Sequence, residues 1–240
     1  MVRTIFTIVT VIITTFMVSS VTIIFGIFGP YSKIIYYSAK AWTNSILFSA
    51  GAKLKIEGLE KIDKSKSYIF IGNHQSHFDV LSVFSAIPLT VRFMAKKELF
   101  KIPIFGWALY TSGTIRIDRS NRSRAIESMN NALDRIRNGV SVVVFPEGTR
   151  SEDGKIRSFK KGGFVLAIKG GIPIIPISVS GSRFILQKHS SRIYPGEIKI
   201  VIGDPINSKD YSYQEREKLS EHVRNIIIQN YDEHFNEGSV

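Results

Sequence analysis

The chain opens on an unbroken apolar stretch and then changes rhythm. From Thr4 to Phe25, "TIFTIVTVIITTFMVSSVTIIF" carries no charge, and about 20 apolar residues suffice for a helix to cross a bilayer. "PYSKIIYYSAKAWTNSILFSAG" follows as a second helical candidate, bounded by Pro30 and Gly51. Beyond about Lys53, apolar runs alternate with helical spacing. "SYIFIG", "VRFMA", "TIRID", "SVVVF", "PIIPISVS" and "EIKIVIG" read as strands. Between them, "DVLSVFSAI", "SRAIESMNNALDRIRNG" and "KKGGFVLAIKGG" read as helices; the second places Ile126, Met129, Leu133 and Ile136 on one face and stops at Gly139. "YQEREKLSEHVRNIIIQNYDEHF" predicts a terminal amphipathic helix with Leu219, Val223, Ile226 and Ile227 inward. The alternation predicts an α/β domain over residues 53–240, a central mixed β-sheet flanked by helices, preceded by an N-terminal hydrophobic helical membrane anchor over residues 1–52. It leaves the strand order open.

Composition sharpens this picture in two ways. Zero cysteines in 240 residues exclude disulfides, thiolate metal sites and a cysteine nucleophile. A net charge of +12 implies an anionic partner: a membrane surface, a nucleic acid or a phosphorylated substrate. The N-terminus favours the membrane. A cleaved secretory signal usually has an apolar region of only about 7–15 residues and a small-residue cleavage site, and neither condition is met cleanly. In the second helix Lys33 and Lys40 share a face, Tyr36, Tyr37 and Trp42 are types that settle at headgroup level, and no acidic residue occurs before Glu57. A spanning helix followed by a surface helix fits, and so does a hairpin dipping into one leaflet. The bland alternative is a soluble second helix packed on the domain.

Candidate chemistry sits where predicted strands end. "NHQSHFD", Asn73 to Asp79, is a strand-to-helix turn at the carboxyl end of a strand, where open α/β sheets place their sites. Three readings compete: His74 with Asp79 as an acid/base pair, a metal site using His74, His77 and Asp79, or Asp79 as the cap of a helix beginning at Val80. A metal site lacks further ligands at a recognisable spacing, because His189, His222 and His234 lie far along the chain. In "PEGTRS", Pro146 to Ser151, Gly148 allows close backbone approach while Thr149, Arg150 and exposed amides supply donors suited to a phosphate. Glu147 could accept from a substrate hydroxyl or hold Arg150 in place. An ordinary surface turn competes with that reading. Asp118-Arg119 follows "SGTIRI", and "FKKGG" reads as a basic loop opening a helix unless its amides bind an anion.

The order of "NHQSHFD", "GTIRIDR", "FPEGTRS" and "IPIIPISVSG" resembles the four-block signature of the glycerolipid acyltransferases, among them the 1-acylglycerol-3-phosphate (lysophosphatidic acid) acyltransferases of phospholipid synthesis. The resemblance runs from about Gly58 to Pro205. His-x4-Asp alone is a weak signal; four blocks in order are a strong one. The resemblance implies that His74 and Asp79 are the catalytic pair. It also implies that Asn73, Lys96, Arg119, Glu147, Gly148, Thr149 and Arg150 serve acceptor and phosphate binding. His77 falls outside the family's essential pair and reads as structural or acceptor-adjacent.

The chemistry is consistent with those residue types. An alcohol attacking a thioester must lose its proton as the bond forms, and an imidazole with a pKa near 6.5 suits that task. A carboxylate on the other ring nitrogen fixes the tautomer and stabilises the imidazolium. No serine nucleophile is required, although Ser76 lies close in sequence. The implied partners are lysophosphatidic acid, acyl-CoA or acyl carrier protein as co-substrate, and an anionic membrane surface. No cofactor, metal or nucleic acid is implied. The implied location is a membrane, with the catalytic domain facing the cytoplasm, where basic flanks prefer to stay. A non-enzymatic basic binding protein would account for the charge but not for polar turns recurring after strands, nor for basic residues that are not interleaved with aromatics.

Overall fold

A computed structural model of the chain describes residues 1–30, 32–117, 128, 131–136 and 138–235. All six predicted strands form. They are β2 (Ile69–Gly72), β3 (Val91–Lys96), β4 (Ile115–Ile117), β5 (Ser141–Val144), β6 (Ile174–Ser180) and β7 (Gly196–Ile202). A strand absent from the sequence reading precedes them: β1, Ala52–Glu57, whose residues alternate half-buried and exposed. It is an edge strand of six residues with two lysines, so it lacks the continuous apolar run that marks a buried one.

The strands make one sheet in the order β1-β7-β6-β2-β5-β3-β4. β6 and β7 run antiparallel and the other neighbours are parallel, so the sheet is mixed. Because β6, β2, β5, β3 and β4 share one direction, their carboxyl ends share one edge. The polar turns that follow β2 and β5, more than 70 positions apart in sequence, are thereby gathered along a single rim.

Alternation along each strand builds a core on both faces. Phe70, Val143, Ile177 and Val179 point toward α3 (His77–Ala86) and α2 (Lys33–Ala50), which contribute Phe78 and Val83, and Ile46, Leu47 and Ala50. Ile69, Ile71, Val142 and Ile174 point the other way, onto Phe164 and Leu166 of α5 (Gly162–Gly170) and Leu219, Val223 and Ile227 of α6 (Arg216–Asn230). Ile69, Phe70 and Ile71 are wholly buried. At roughly 1.5–3 kcal/mol for each such side chain, they make β2 a firm base for the turn that follows it. The predicted helix containing Leu133 and Ile136 is present over 131–136 and ends at Gly139, whose φ of 85° is left-handed; Ile126 and Met129 lie outside the described residues. The terminal helix stops at Asn230, short of the predicted Phe235, because the following segment folds back: Asp232 N donates to Ser180 Oγ at 3.0 Å.

At the N-terminus, α1 (Val2–Phe25) and α2 form a hairpin joined by a short helical turn at Gly26–Phe28. α1 with that turn is the one described helix long and apolar enough to cross a membrane. It touches the rest of the chain along its length. Ile193 N donates to Thr4 Oγ1 at 3.0 Å, Trp42 Nε1 donates to Thr15 Oγ1 at 2.9 Å, and a Cβ added to Gly26 would lie 1.7 Å from Thr111 Cγ2. The second half of α2 belongs to the sheet's core, and Gly51, with φ 69°, closes the helix in the left-handed conformation and feeds β1.

Candidate active site

The turn after β2 is built around one carboxylate. α3 begins at His77, earlier than the Val80 expected from periodicity, with Ser76 as its N-cap. Asp79 is therefore not the cap itself but the third helical residue of a capping box. Capping and contact with His74 are compatible uses of the same carboxylate. Its buried Oδ2 accepts from Ser76 N at 2.8 Å and Gln75 N at 2.6 Å, and it lies 2.8 Å from His74 Nδ1. A negative charge is favourable at a helix N-terminus, and the same oxygen fixes the imidazole. With Nδ1 engaged, Nε2 is the nitrogen left for a ligand, on a side chain that is 17% exposed. Ser76 is committed elsewhere: its hydroxyl donates to Leu186 O at 2.8 Å and accepts from Phe78 N.

The ring plane is set by a contact that the sequence reading missed. Phe145, the first residue after β5, stacks on His74 with centroids 4.5 Å apart and planes 19° apart. The stack continues through Phe93 of β3 to Phe84 of α3. Phe84 and Phe93 line an apolar cavity of about 190 Å³, together with Trp42, Phe105 and Leu109 from the helices. An aromatic directly after a strand was the available signal, but periodicity assigns it to the strand's end and says nothing of what it faces.

The turn after β5 locks onto the turn after β2. Ser151 N donates to His74 O at 2.8 Å, and Glu147 Oε1 accepts from His74 N at 2.8 Å. Glu147 Oε2 accepts from Arg157 N at 3.2 Å. Burial pushes the Glu147 carboxyl above its usual range, against the pull of those amide bonds. Glu147 thus ties together backbone segments, a role different from either sequence expectation, binding a substrate hydroxyl or holding Arg150. Asn73 departs further from its expected place among ligand contacts. Its carboxamide is wholly buried and pairs reciprocally with Val179 of β6, donating to its O and accepting from its N at 2.8 Å each. It fastens β2 to β6 below the site.

Gly148, Thr149 and Arg150 remain at the surface of the rim. Gly148 has φ 77°, and a side chain there would begin 2.9 Å from Lys160 Nζ. Lys160 of "FKKGG" therefore joins this turn as a cation that was not singled out as a site residue; its N donates to Pro146 O at 3.0 Å. Desolvation, and then the nearby charges of Arg150 and His74, push the His77 imidazole below its ordinary pKa. Lys96 stands exposed at the end of β3, paired in register with Ile117 of β4. Two strand spacings, about 10 Å, separate β3 from β2 across the sheet. Arg119 lies outside the described residues, as does Asp118. Among the described residues, no group of three His, Cys, Asp or Glu side chains could hold a metal.

A half-buried histidine on a buried aspartate at the carboxyl rim of a mixed sheet, framed by a glycine–arginine turn, defines a class. The Acyltransferase family model matches residues 53–180, and the chain belongs to that family. It is 35% identical over 184 residues to 1-acyl-sn-glycerol-3-phosphate acyltransferase LPAT1, chloroplastic, of Arabidopsis thaliana; the match covers 75% of this chain and 51% of that protein. It is 31% identical over 210 residues to the 1-acyl-sn-glycerol-3-phosphate acyltransferase of Saccharomyces cerevisiae, covering 86% and 69%. The chain thus spans about half to two thirds of the length of such relatives. The crystal structure of the 1-acyl-sn-glycerophosphate acyltransferase PlsC from Thermotoga maritima superposes with a TM-score of 0.76 at 27% identity, over 95% of both chains.

Proposed function

We propose that the chain transfers a fatty acyl group from an acyl thioester to the sn-2 hydroxyl of 1-acylglycerol 3-phosphate, giving phosphatidic acid. The observation that carries this reading is the His74 Nδ1 to Asp79 Oδ2 contact of 2.8 Å, which leaves Nε2 facing the rim. His74 Nε2 takes the acceptor hydroxyl's proton as its oxygen attacks the thioester carbon. The carbon–sulfur bond then breaks, and the proton returns to the departing thiolate. Asp79 holds the tautomer and stabilises the transient imidazolium.

Arg150 and Lys160, with Lys96 and Arg119, supply the cations that a dianionic phosphate needs. The cavity beside Phe84 and Phe93 takes the acyl chain: it is almost wholly apolar and lies along the aromatic stack that starts at His74. The α1–α2 hairpin attaches the protein to one leaflet of a membrane whose cytoplasmic face the catalytic rim addresses. The contacts of Thr4 and Gly26 support this attachment, because a helix held near both ends by the globular part lies beside it rather than projecting across a bilayer. Purified protein given labelled acyl-CoA or acyl carrier protein donors and a panel of lysolipids tests the reading. Phosphatidic acid should dominate the products, and equal acylation of lysolipids lacking the terminal phosphate would refute the acceptor assignment.

A further inference from the structure

Exposed aromatic and aliphatic side chains are not confined to the N-terminal hairpin. The helix α4 (Phe105–Thr111) turns Phe105, Ala108 and Leu109 inward onto the apolar cavity, yet leaves Trp107 68% and Tyr110 81% exposed on its outer side. Ile102, in the turn before it, is 46% exposed. A short helix in a soluble surface has no use for a tryptophan and a tyrosine standing in water on one side, whereas these two residue types favour the layer between water and hydrocarbon. The turn is held in an unusual conformation to present them. Ile104 has φ 64°, costly for a β-branched residue, and Gly106 lies so close to Phe100 O that a Cβ would sit 2.2 Å from it.

This surface adjoins the tip of the hairpin. Gly26 abuts Thr111 at the end of α4, and Ile27 and Phe28 of the connecting turn are 81% and 72% exposed. One groove is lined from both sides, by Gly26 and Pro30 of the hairpin and by Phe100 and Tyr110, with Arg116 and Arg135 at its polar wall. Apolar and aromatic groups therefore border cationic ones, as an anionic headgroup layer requires.

We propose that α4 and the turn before it are a third membrane-seating element, resting in the interfacial layer of an anionic bilayer beside the hairpin tip. This inference rests on the membrane reading above and adds to it. Attachment through α1 and α2 alone leaves the whole protein free to roll about the hairpin's long axis on the membrane surface. A further contact from α4, which follows the β3 end carrying Lys96 after one short helical turn, Lys97–Lys101, fixes its tilt and hence the depth of the rim. Trp107 and Trp42 are the chain's two tryptophans, so the emission difference between the full chain and its Trp107→Phe variant isolates Trp107. The proteins are reconstituted on phosphatidylcholine–phosphatidylglycerol vesicles, with bromines placed either shallow or deep in the acyl chains. The proposal expects Trp107 emission to shift to the blue and to be lost chiefly to the shallow bromines. Protein that floats with vesicles while Trp107 stays red and open to aqueous iodide would overturn the proposal and leave the hairpin attachment standing. Blue emission untouched by either bromine would overturn it too, showing the surface covered by a second copy of the chain. Failure to float at all would refute both readings.

Discussion

Asp79→Asn separates two contributions that a carboxylate makes to a paired histidine. Gln75 N, Ser76 N and His74 Nδ1 all meet the same oxygen, Oδ2, while the other carboxylate oxygen, Oδ1, is buried without a hydrogen-bond partner among the described residues. The two backbone amides can only donate, so an asparagine must keep its oxygen at the Oδ2 position and its NH2 at the other. His74 therefore retains an acceptor at Nδ1 and the same tautomer; what is lost is charge. Imidazolium and carboxylate at about 4 Å attract by about 4 kcal/mol at an effective dielectric of 20. The amide dipole keeps part of that, which leaves a deficit of about 2–3 kcal/mol and a kcat lowered roughly 30- to 150-fold. Asp79→Ala should fall further, since the ring is then free to turn. Stability pays separately: three charge-assisted bonds become neutral and an NH2 is buried unpaired, together about 3–5 kcal/mol. Initial rates of acyl transfer in detergent, alongside denaturant melts to establish that each variant is folded in the assay, measure both effects. If Asp79→Asn lost as much rate as Asp79→Ala, the locked orientation would be refuted. A loss under about threefold would remove the carboxylate's charge from the mechanism.

Three further predictions address the surroundings of that pair. Arg150→Lys keeps the charge but loses the planar fork, and should raise KM for lysophosphatidate about tenfold with little effect on a lysolipid lacking the terminal phosphate; equal losses on both would refute phosphate binding by Arg150. Glu147→Gln should lower stability by about 1–3 kcal/mol, because one of its two backbone amides then faces an NH2. The sign of its pH dependence follows from the raised carboxyl: the folded state holds that proton more tightly than the unfolded state, so the group's contribution is full at low pH and is lost as pH rises through the folded pKa. The stability gap between wild type and Glu147→Gln should therefore narrow from about pH 4 towards pH 7, and a widening gap in urea melts would contradict it. Leu109→Trp fills part of the apolar cavity and should move donor preference towards shorter acyl chains, as read by competition between labelled donors; an unchanged chain-length profile in a folded variant would place the acyl chain elsewhere.

The strands, the long helices and the position of the His74–Asp79 turn were legible because each rests on local signals: apolar runs, helical spacing, and a polar cluster after a strand. Three things were not. β1 is an edge strand whose alternation is short and punctuated by Lys53 and Lys55, so only its pairing with β7 reveals it. Asn73 and Glu147 are polar residues in the signature blocks, where a ligand contact is the natural guess. Their partners, the backbone of Val179 and the amides of His74 and Arg157, are brought to them by strand order, which no local pattern encodes. Phe145 and Lys160 were hidden for the same reason. The stack on His74 and the approach to Gly148 join segments roughly 70 and 12 positions apart, along a rim that exists only once β2 and β5 are neighbours. Conversely, capping the helix and pairing with His74 looked like rival uses of Asp79 on paper because each needs the carboxylate, and geometry lets one oxygen make both sets of contacts.

The central claim is that His74 Nε2 carries the acceptor's proton. The direct measurement is the turnover of full-length His74→Ala with lysophosphatidate and a labelled acyl thioester, at saturating concentrations of both and with its melting behaviour recorded beside wild type. His74 lies on the rim with its side chain 17% exposed, so the variant should fold and bind membranes as wild type does. Loss of a general base is typically worth about 10²–10⁴-fold, and the account predicts that kcat falls by that much while KM for lysophosphatidate stays nearly constant. A folded His74→Ala protein that acylates lysophosphatidate at close to the wild-type rate would contradict it.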